Sequence, residues 1–168
     1  MTGILAAAAA KIANGASCLD VGAGIRPQPY KRFPRHVCVE PHDEYAGWLR
    51  SQGWEVIQGP APSILWKAPQ VDVAFLLDVV EHMTREDGTS AMEIAKQRAR
   101  QVVVFTPLGF LPQSYAPGEK DAWGYNGAHW QTHRSGWTPD DFPGWDILAD
   151  SGFHGTRGGA FFAIWGQA

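Results

Sequence analysis

Asp20-Val21-Gly22-Ala23-Gly24 and Glu40 are the residues whose types and spacing most clearly suit chemistry. Leu19 to Gly24 reads as the end of a buried strand entering a glycine turn. Val37-Cys38-Val39-Glu40 reads as a second strand ending in a carboxylate. A first strand closed by glycines and a second closed by an acid build a site for a ribose-bearing cofactor. The glycines let the backbone approach a ligand with no Cβ in the way, and the acid accepts hydrogen bonds from the two ribose hydroxyls. His82, His129 and His133 are side chains that could move a proton near neutral pH. His82, Glu86, Asp87 and the other acids form no convincing ligand cluster, so no metal is expected.

The elements that must hold these residues alternate between strand and helix. A short helix is expected over Gly3 to Ala13, stopped by Asn14-Gly15. Ser17 to Val21 is apolar at nearly every position, as in a strand covered on both faces. A helix belongs at 25–35, but Pro27, Pro29 and Pro34 leave room for one or two turns at most. His36 to Glu40 is the second strand. Asp43 to Gln52 is a helix, with Tyr45, Trp48 and Leu49 on one face and Gly53 at its end. Trp54 to Gln58, Val71 to Asp78, Gln101 to Thr106 and Ala160 to Trp165 read as further strands. Ala61 to Trp66 is a short helix or turn, and Arg85 to Arg98 is a helix. Residues 107–137 are loop-like and aromatic-rich, and so long a loop is usually functional. Thr138-Pro139-Asp140-Asp141 is a helix start, and that helix is expected to run to about Asp150. The alternation implies an α/β fold with a mainly parallel sheet.

At 168 residues the chain is expected to be one domain spanning 1–168. A net charge of -3 argues against a nucleic-acid-coating protein. No apolar run approaches the ~20 residues that span a bilayer. The alanine-rich stretch before Ala10 lacks a basic n-region, and cleavage near Ala16 or Cys18 would cut the first strand, so no signal peptide is read and the cytoplasm is the expected compartment. If the first two strands are parallel neighbours, Cys18 and Cys38 share one face at nearly one level. In a reducing compartment they are read as buried thiols.

The cofactor class turns on the glycine turn. A nicotinamide or flavin site wants Gly-x-Gly-x-x-Gly/Ala opening a regular helix, but the third position after Gly24 is Pro27. Leu19-Asp20-Val21-Gly22-Ala23-Gly24 resembles the first motif of the class I S-adenosylmethionine-dependent methyltransferases. Glu40 matches that family's acid at the end of strand two. Asp72 to His82, ending in Glu81-His82, looks like the family's strand-four segment, and His133 to Phe142 with Leu148 to Phe153 is similar to its late helix region. The resemblance covers most of residues 15–165. It implies a doubly wound, Rossmann-like sheet of seven strands, or slightly fewer, with helices on both faces, and S-adenosylmethionine as cofactor.

The resemblance also implies roles. Gly22, Ala23 and Gly24 pass beside the methionine part of the ligand, Asp20 orients the turn, Glu40 holds the ribose, and Leu77-Asp78 lines the far side. Arg26 is placed to reach the cofactor carboxylate. Relatives often carry Gly-Asp-Ala after strand three, with the Asp on the adenine amino group. Here the stretch is Gly59-Pro60-Ala61, which leaves the Ala61 N–H as the candidate adenine contact. The nitrogen-methylating Asn/Asp-Pro-Pro-Tyr motif is absent after strand four, where Asp78-Val79-Val80-Glu81 stands instead.

The acceptor is expected against the 107–137 loop, whose Phe110, Tyr115, Trp123, Tyr125, Trp130 and Trp137 suit a planar ring or the apolar face of a sugar, with His129, His133 or His82 as base. The expected activity is methylation of an oxygen or nitrogen of a small molecule, with a sugar or glycan precursor favoured and neither nucleic acid nor membrane as partner. The small chain leaves room for a homo-oligomer or another subunit to complete the acceptor site. Two other readings stay open: a non-catalytic S-adenosylmethionine-binding regulatory or partner subunit, and an NAD-dependent oxidoreductase.

Overall fold

The computed structural model describes residues 3–166. Met1, Thr2, Gln167 and Ala168, the ends of the expected 1–168 domain, lie outside the described residues. The strands are β1 (Ser17–Val21), β2 (Arg35–Glu40), β3 (Glu55–Gln58), β4 (Val71–Leu77), β5 (Ala99–Pro107), β6 (Asp146–Asp150) and β7 (Ala160–Trp165). The α-helices are α1 (Gly3–Lys11), α2 (Asp43–Ser51), α3 (Ala61–Ile64), α4 (Arg85–Arg98) and α5 (Ala128–Gln131). One sheet takes the order β3-β2-β1-β4-β5-β7-β6. β1 to β5 are parallel, and β7 is antiparallel to both β5 and β6.

The apolar runs are explained by burial on both faces. Leu19, Val21, Ala74, Leu76, Val102 and Val104 point to one face, where Ala91, Met92 and Ala95 of α4 cover them. Cys18, Val73, Phe75, Val103 and Phe105 point to the other, against Ile4, Ala8 and Ile12 of α1 and against Phe33. α2 lays Leu49 and the half-buried Trp48 beside Cys38 and Val56 of β2 and β3. The chain leaves β1 toward β2 on one side, while β4 lies on the other. The carboxyl ends of β1 and β4 therefore flank a topological switch point, where open α/β sheets bind ligands. The β1–β4 register pairs Val21 with Leu76, which brings the glycine turn level with Leu77 and Asp78.

Two expectations are corrected and a third, the proline-interrupted stretch, is sharpened. The late helix over 138–150 does not form. Thr138 and Asp141 make a reciprocal capping box, but only a 3-10 turn, Pro139–Asp141, follows. Pro143-Gly144 then stops the turn, and Asp146–Asp150 becomes β6, filling the open edge of β7. Residues 25–34 hold no helix at all. The two cysteines share a face but not a level, since Cys18 pairs with His36 and Cys38 with Asp20. Both thiols are free and buried, and burial first of all raises Cys18 to about 12.

Candidate active site

The glycine turn after β1 needs its glycines. Gly22 and Gly24 have φ of 67° and 57°, which a Cβ would strain. The Gly22 N–H donates to the Val39 carbonyl at 2.7 Å, and the Gly24 N–H donates to Glu40 Oε2 at 2.8 Å. Glu40 Oε1 accepts from the His42 N–H at 2.9 Å. Glu40 is thus the clamp between the turn and the end of β2, with each oxygen keeping lone-pair capacity for a further donor. Burial raises its carboxyl to about 7, against the lowering effect of the His42 and Gly24 N–H groups. Asp20 is buried, and its Oδ2 accepts from the Gln28 N–H at 2.6 Å and lies 3.1 Å from His36 Nε2. A carboxylate inside β1 therefore fastens the proline-interrupted segment where a helix would otherwise sit.

The end of β4 supplies the opposite wall. Asp78 has φ 52°, the one positive value outside glycine among the described residues, and its N–H donates to the Phe105 carbonyl at 2.9 Å. Asp tolerates this region better than most side chains. Its carboxyl is open to the cavity but lies deep within the fold, and desolvation raises it to about 6. The chain then makes a 3-10 turn, Val80–His82. Glu81 is buried, and its Oε2 accepts from the Thr106 hydroxyl at 3.1 Å. Burial, then the charge of Asp78, pushes its carboxyl well above the ordinary range. His82 Nδ1 lies 3.4 Å from the Thr132 carbonyl, and His133 Nδ1 lies 2.5 Å from the Leu111 carbonyl. Burial, then the nearby His133, lowers His82 to about 4, and burial lowers His133.

Two cavities open on these walls. The smaller, about 120 Å³, lies between the glycine turn and the start of α3, with Glu40, Tyr45, Pro60, Ala61, Met83 and Trp130 on its lining. The larger, about 390 Å³, lies beyond β4 and β5, with Asp20, Arg26, Glu81, Trp123, His133 and Arg157 on its lining. Gly22, Asp78, His82 and Gln131 line both, so the cavities meet at the switch point.

The fold gathers most of the residues singled out by sequence. Gly24 faces the smaller cavity, and Ala23 and Leu77 face the larger. Gly59 faces neither; its N–H donates to the Glu40 carbonyl and sets the bend out of β3. His129 is also outside: it is exposed on α5 beside Arg134, while Trp130 and Gln131 turn inward. The aromatic loop is divided. Trp137 is buried in the core against Phe142, Phe110 is 58% exposed, and Trp130 lines the smaller cavity. Of the six aromatics, only Trp123 lines the larger one. Its ring lies over Gly24, where an added Cβ would sit 2.5 Å from it.

Other lining residues carried no sequence signal. Tyr45 reads as helix core, yet its hydroxyl donates to Asp121 Oδ2 at 2.5 Å. Asp121 also accepts from the N–H groups of Trp123, Tyr125 and Gly127, and so ties the loop to α2. Arg157 stands in a 3-10 turn before β7, far from any motif. The expectation of no metal cluster rested on spacing, but the fold assembles two sets of ligand-type side chains, Asp20–His36–Cys38 and Glu81–His82–His133. In the first, Asp20 is already engaged by Gln28 and His36, and burial holds the Cys38 thiol protonated.

No family model matches the sequence, and no curated protein matches it. Solved structures do. The N-terminal domain of EvdMO1, in the presence of SAH and D-fucose, superposes with a TM-score of 0.60 at 10% identity over 92% of this chain and 76% of that one. Magnesium protoporphyrin IX methyltransferase from Synechocystis PCC 6803, with bound SAH, gives 0.56 at 13% identity over 89% and 73%. The small RNA methyltransferase HEN1 gives 0.57 at 13% identity over 97% of this chain and 24% of that one. With the strand order and the glycine turn at its switch point, these likenesses identify the fold of this chain as that of the class I S-adenosylmethionine-dependent methyltransferases.

Proposed function

We propose that this protein binds S-adenosylmethionine across the two cavities and transfers its methyl group to an oxygen or nitrogen of a small molecule, with a sugar-like polyol favoured. The observation that carries the reading is the meeting of the cavities beside Gly22, Asp78 and His82. Adenosine takes the smaller cavity. Glu40 takes the ribose hydroxyls on its remaining lone pairs, and Pro60, Ala61, Met83 and Trp130 offer an apolar slot for adenine in place of a carboxylate contact. The methionine end passes the glycine turn toward Arg26, whose guanidinium suits its carboxylate. The sulfonium then lies at the junction, and the acceptor lies in the larger cavity. Arg157, His133 and the buried acids make this cavity polar, and Trp123 gives one aromatic wall.

The acceptor lone pair forms the new bond to the methyl carbon as the sulfonium–carbon bond breaks. The sulfonium becomes a neutral thioether, and a hydroxyl acceptor passes its proton to solvent. Alignment supplies most of the acceleration. The likeness to EvdMO1, whose structure was solved in the presence of D-fucose, supports a sugar acceptor. The net charge of -3 disfavours a polyanionic one.

Calorimetry with S-adenosylmethionine, S-adenosylhomocysteine and NAD tests the cofactor. Both S-adenosyl ligands are expected to bind, and binding of NAD alone rejects the reading. Transfer of labelled methyl into a metabolite extract tests the activity. S-adenosyl binding without transfer points to a regulatory subunit.

A further inference from the structure

We infer that Glu81, His82 and His133, with Asp78 beside them, form a site for a first-row divalent transition-metal cation on the wall of the larger cavity. One ligand-type atom from each of Glu81, His82 and His133 lies within 4.8 Å of the others. They come from two separate segments, the turn after β4 and the end of the long loop. The loop is registered there by the Arg134 and Ser135 N–H groups, which both donate to the Glu81 carbonyl at 2.7 and 3.1 Å.

The hydrogen bonding fixes what each side chain presents. A ring nitrogen facing a carbonyl must carry the proton. The Thr132 and Leu111 carbonyls therefore favour the Nδ1–H tautomer of His82 and His133, which leaves Nε2 as the ligand atom each ring can offer. An imidazole whose other nitrogen donates to a backbone carbonyl is the usual arrangement of a metal-ligating histidine. Glu81 is held through Oε2 by Thr106, which leaves Oε1 as its second donor oxygen.

The charge balance points the same way. Asp78 and Glu81 face the same cavity as two acids. Arg26, Arg157 and His154 also line that cavity, but among the described residues no basic side chain forms a salt bridge with Asp78 or Glu81. A buried carboxylate, Glu81, beside a second acid that opens on the same cavity is costly unless a cation joins them. Two imidazoles and a carboxylate suit Mn, Fe, Co or Zn better than Mg or Ca. Such a triad leaves coordination positions open toward the cavity. Under the methyl-transfer reading, on which this part rests, they would take the hydroxyl to be methylated and a neighbouring oxygen of the acceptor. Metal binding itself does not depend on that reading.

The test titrates the purified full chain with Mn²⁺, followed by electron paramagnetic resonance, and with Co²⁺, followed by its visible absorption. One ion per chain is expected, with an absorption pattern that reports nitrogen ligation. His133→Ala and Glu81→Gln should each weaken binding by about a hundredfold, and Thr106→Val, which only frees the Glu81 carboxylate, by about 10- to 100-fold. Failure of the wild-type protein to bind Mn²⁺, Co²⁺ or Zn²⁺ at millimolar concentration overturns the site, as does binding unchanged in His133→Ala. S-adenosylhomocysteine calorimetry on the same samples separates the two readings. Nucleoside binding without metal removes this site alone, and metal binding without nucleoside removes the methyl-transfer reading alone.

Discussion

Glu40 joins the glycine turn to the end of β2 and faces the smaller cavity, where the proposed reading puts the ribose. Its substitution separates a ligand contact from a scaffold contact. Glu40→Ala should weaken S-adenosylhomocysteine binding by about 1.5–3 kcal/mol, the range for a hydrogen bond to a charged group, as read by calorimetry. An unchanged dissociation constant would remove Glu40 from the site. This acid was legible in the sequence because its position at a strand end is a local property, as is that of Asp20 and the two glycines. The pairing of His82 with His133 was not legible. It depends on where a long loop returns, and no local propensity fixes that. His129 shows the converse: a ring in the right segment faces solvent because one helical turn of α5 points it outward.

Among the elements, α4 and the long loop illustrate how tertiary contacts reassign local signals. Gly88 lies inside α4, where alanine would ordinarily favour the helix by about 1 kcal/mol. Here a Cβ would sit 2.7 Å from the Trp137 indole, which is buried, donates to the Ser135 hydroxyl and lies under Arg85. Gly88→Ala should therefore destabilise the protein by about 1–3 kcal/mol through overpacking, measured by urea unfolding. A gain in stability would show that Trp137 shifts freely. The same indole explains why the loop's aromatic content misleads: Trp137 is core, although its sequence neighbours line the site. The loop itself is tied by Asp121. Tyr45→Phe removes one of its four donors and should speed amide exchange across 121–127 while leaving β4 and β5 protected. Equal loosening of the core strands would deny the loop its own anchoring. The misread stretch 138–150 has the same origin. Its capping box is real and local, but Asp146–Asp150 pairs with β7 because an unpaired edge is available there.

At the scale of the molecule, the sheet order places two acids with raised carboxyls, Glu40 and Asp78, around one cavity. Between about pH 4.5 and 7 folded Glu40 keeps a proton that the unfolded chain releases, so its contribution to stability is full below 4.5 and is lost as pH rises through 7. The lowered His82 acts in the opposite sense, since the unfolded chain binds the proton between about 4 and 6.5. Comparison with Glu40→Gln isolates the acid. Relative to wild type, the ligand-free variant should gain on the order of 3 kcal/mol of stability from pH 4.5 to 7.5, seen in paired denaturant curves. A constant difference across that range would show Glu40 to be an ordinary carboxylate.

The ring of Trp123 over Gly24 has a consequence in time. Under the proposed reading the cofactor passes the glycine turn, and an indole carried on a loop pinned to α2 lies over Gly24, so the loop is expected to swing aside before a ligand seats. Association observed in stopped flow should then approach a plateau as ligand concentration rises, set by the opening rate. Trp123→Ala should lift that plateau and restore a linear dependence, whereas a linear dependence in the wild-type protein would show that the indole is no gate. The same tryptophan that shapes the cavity at rest would set the rhythm at which the site exchanges its ligands.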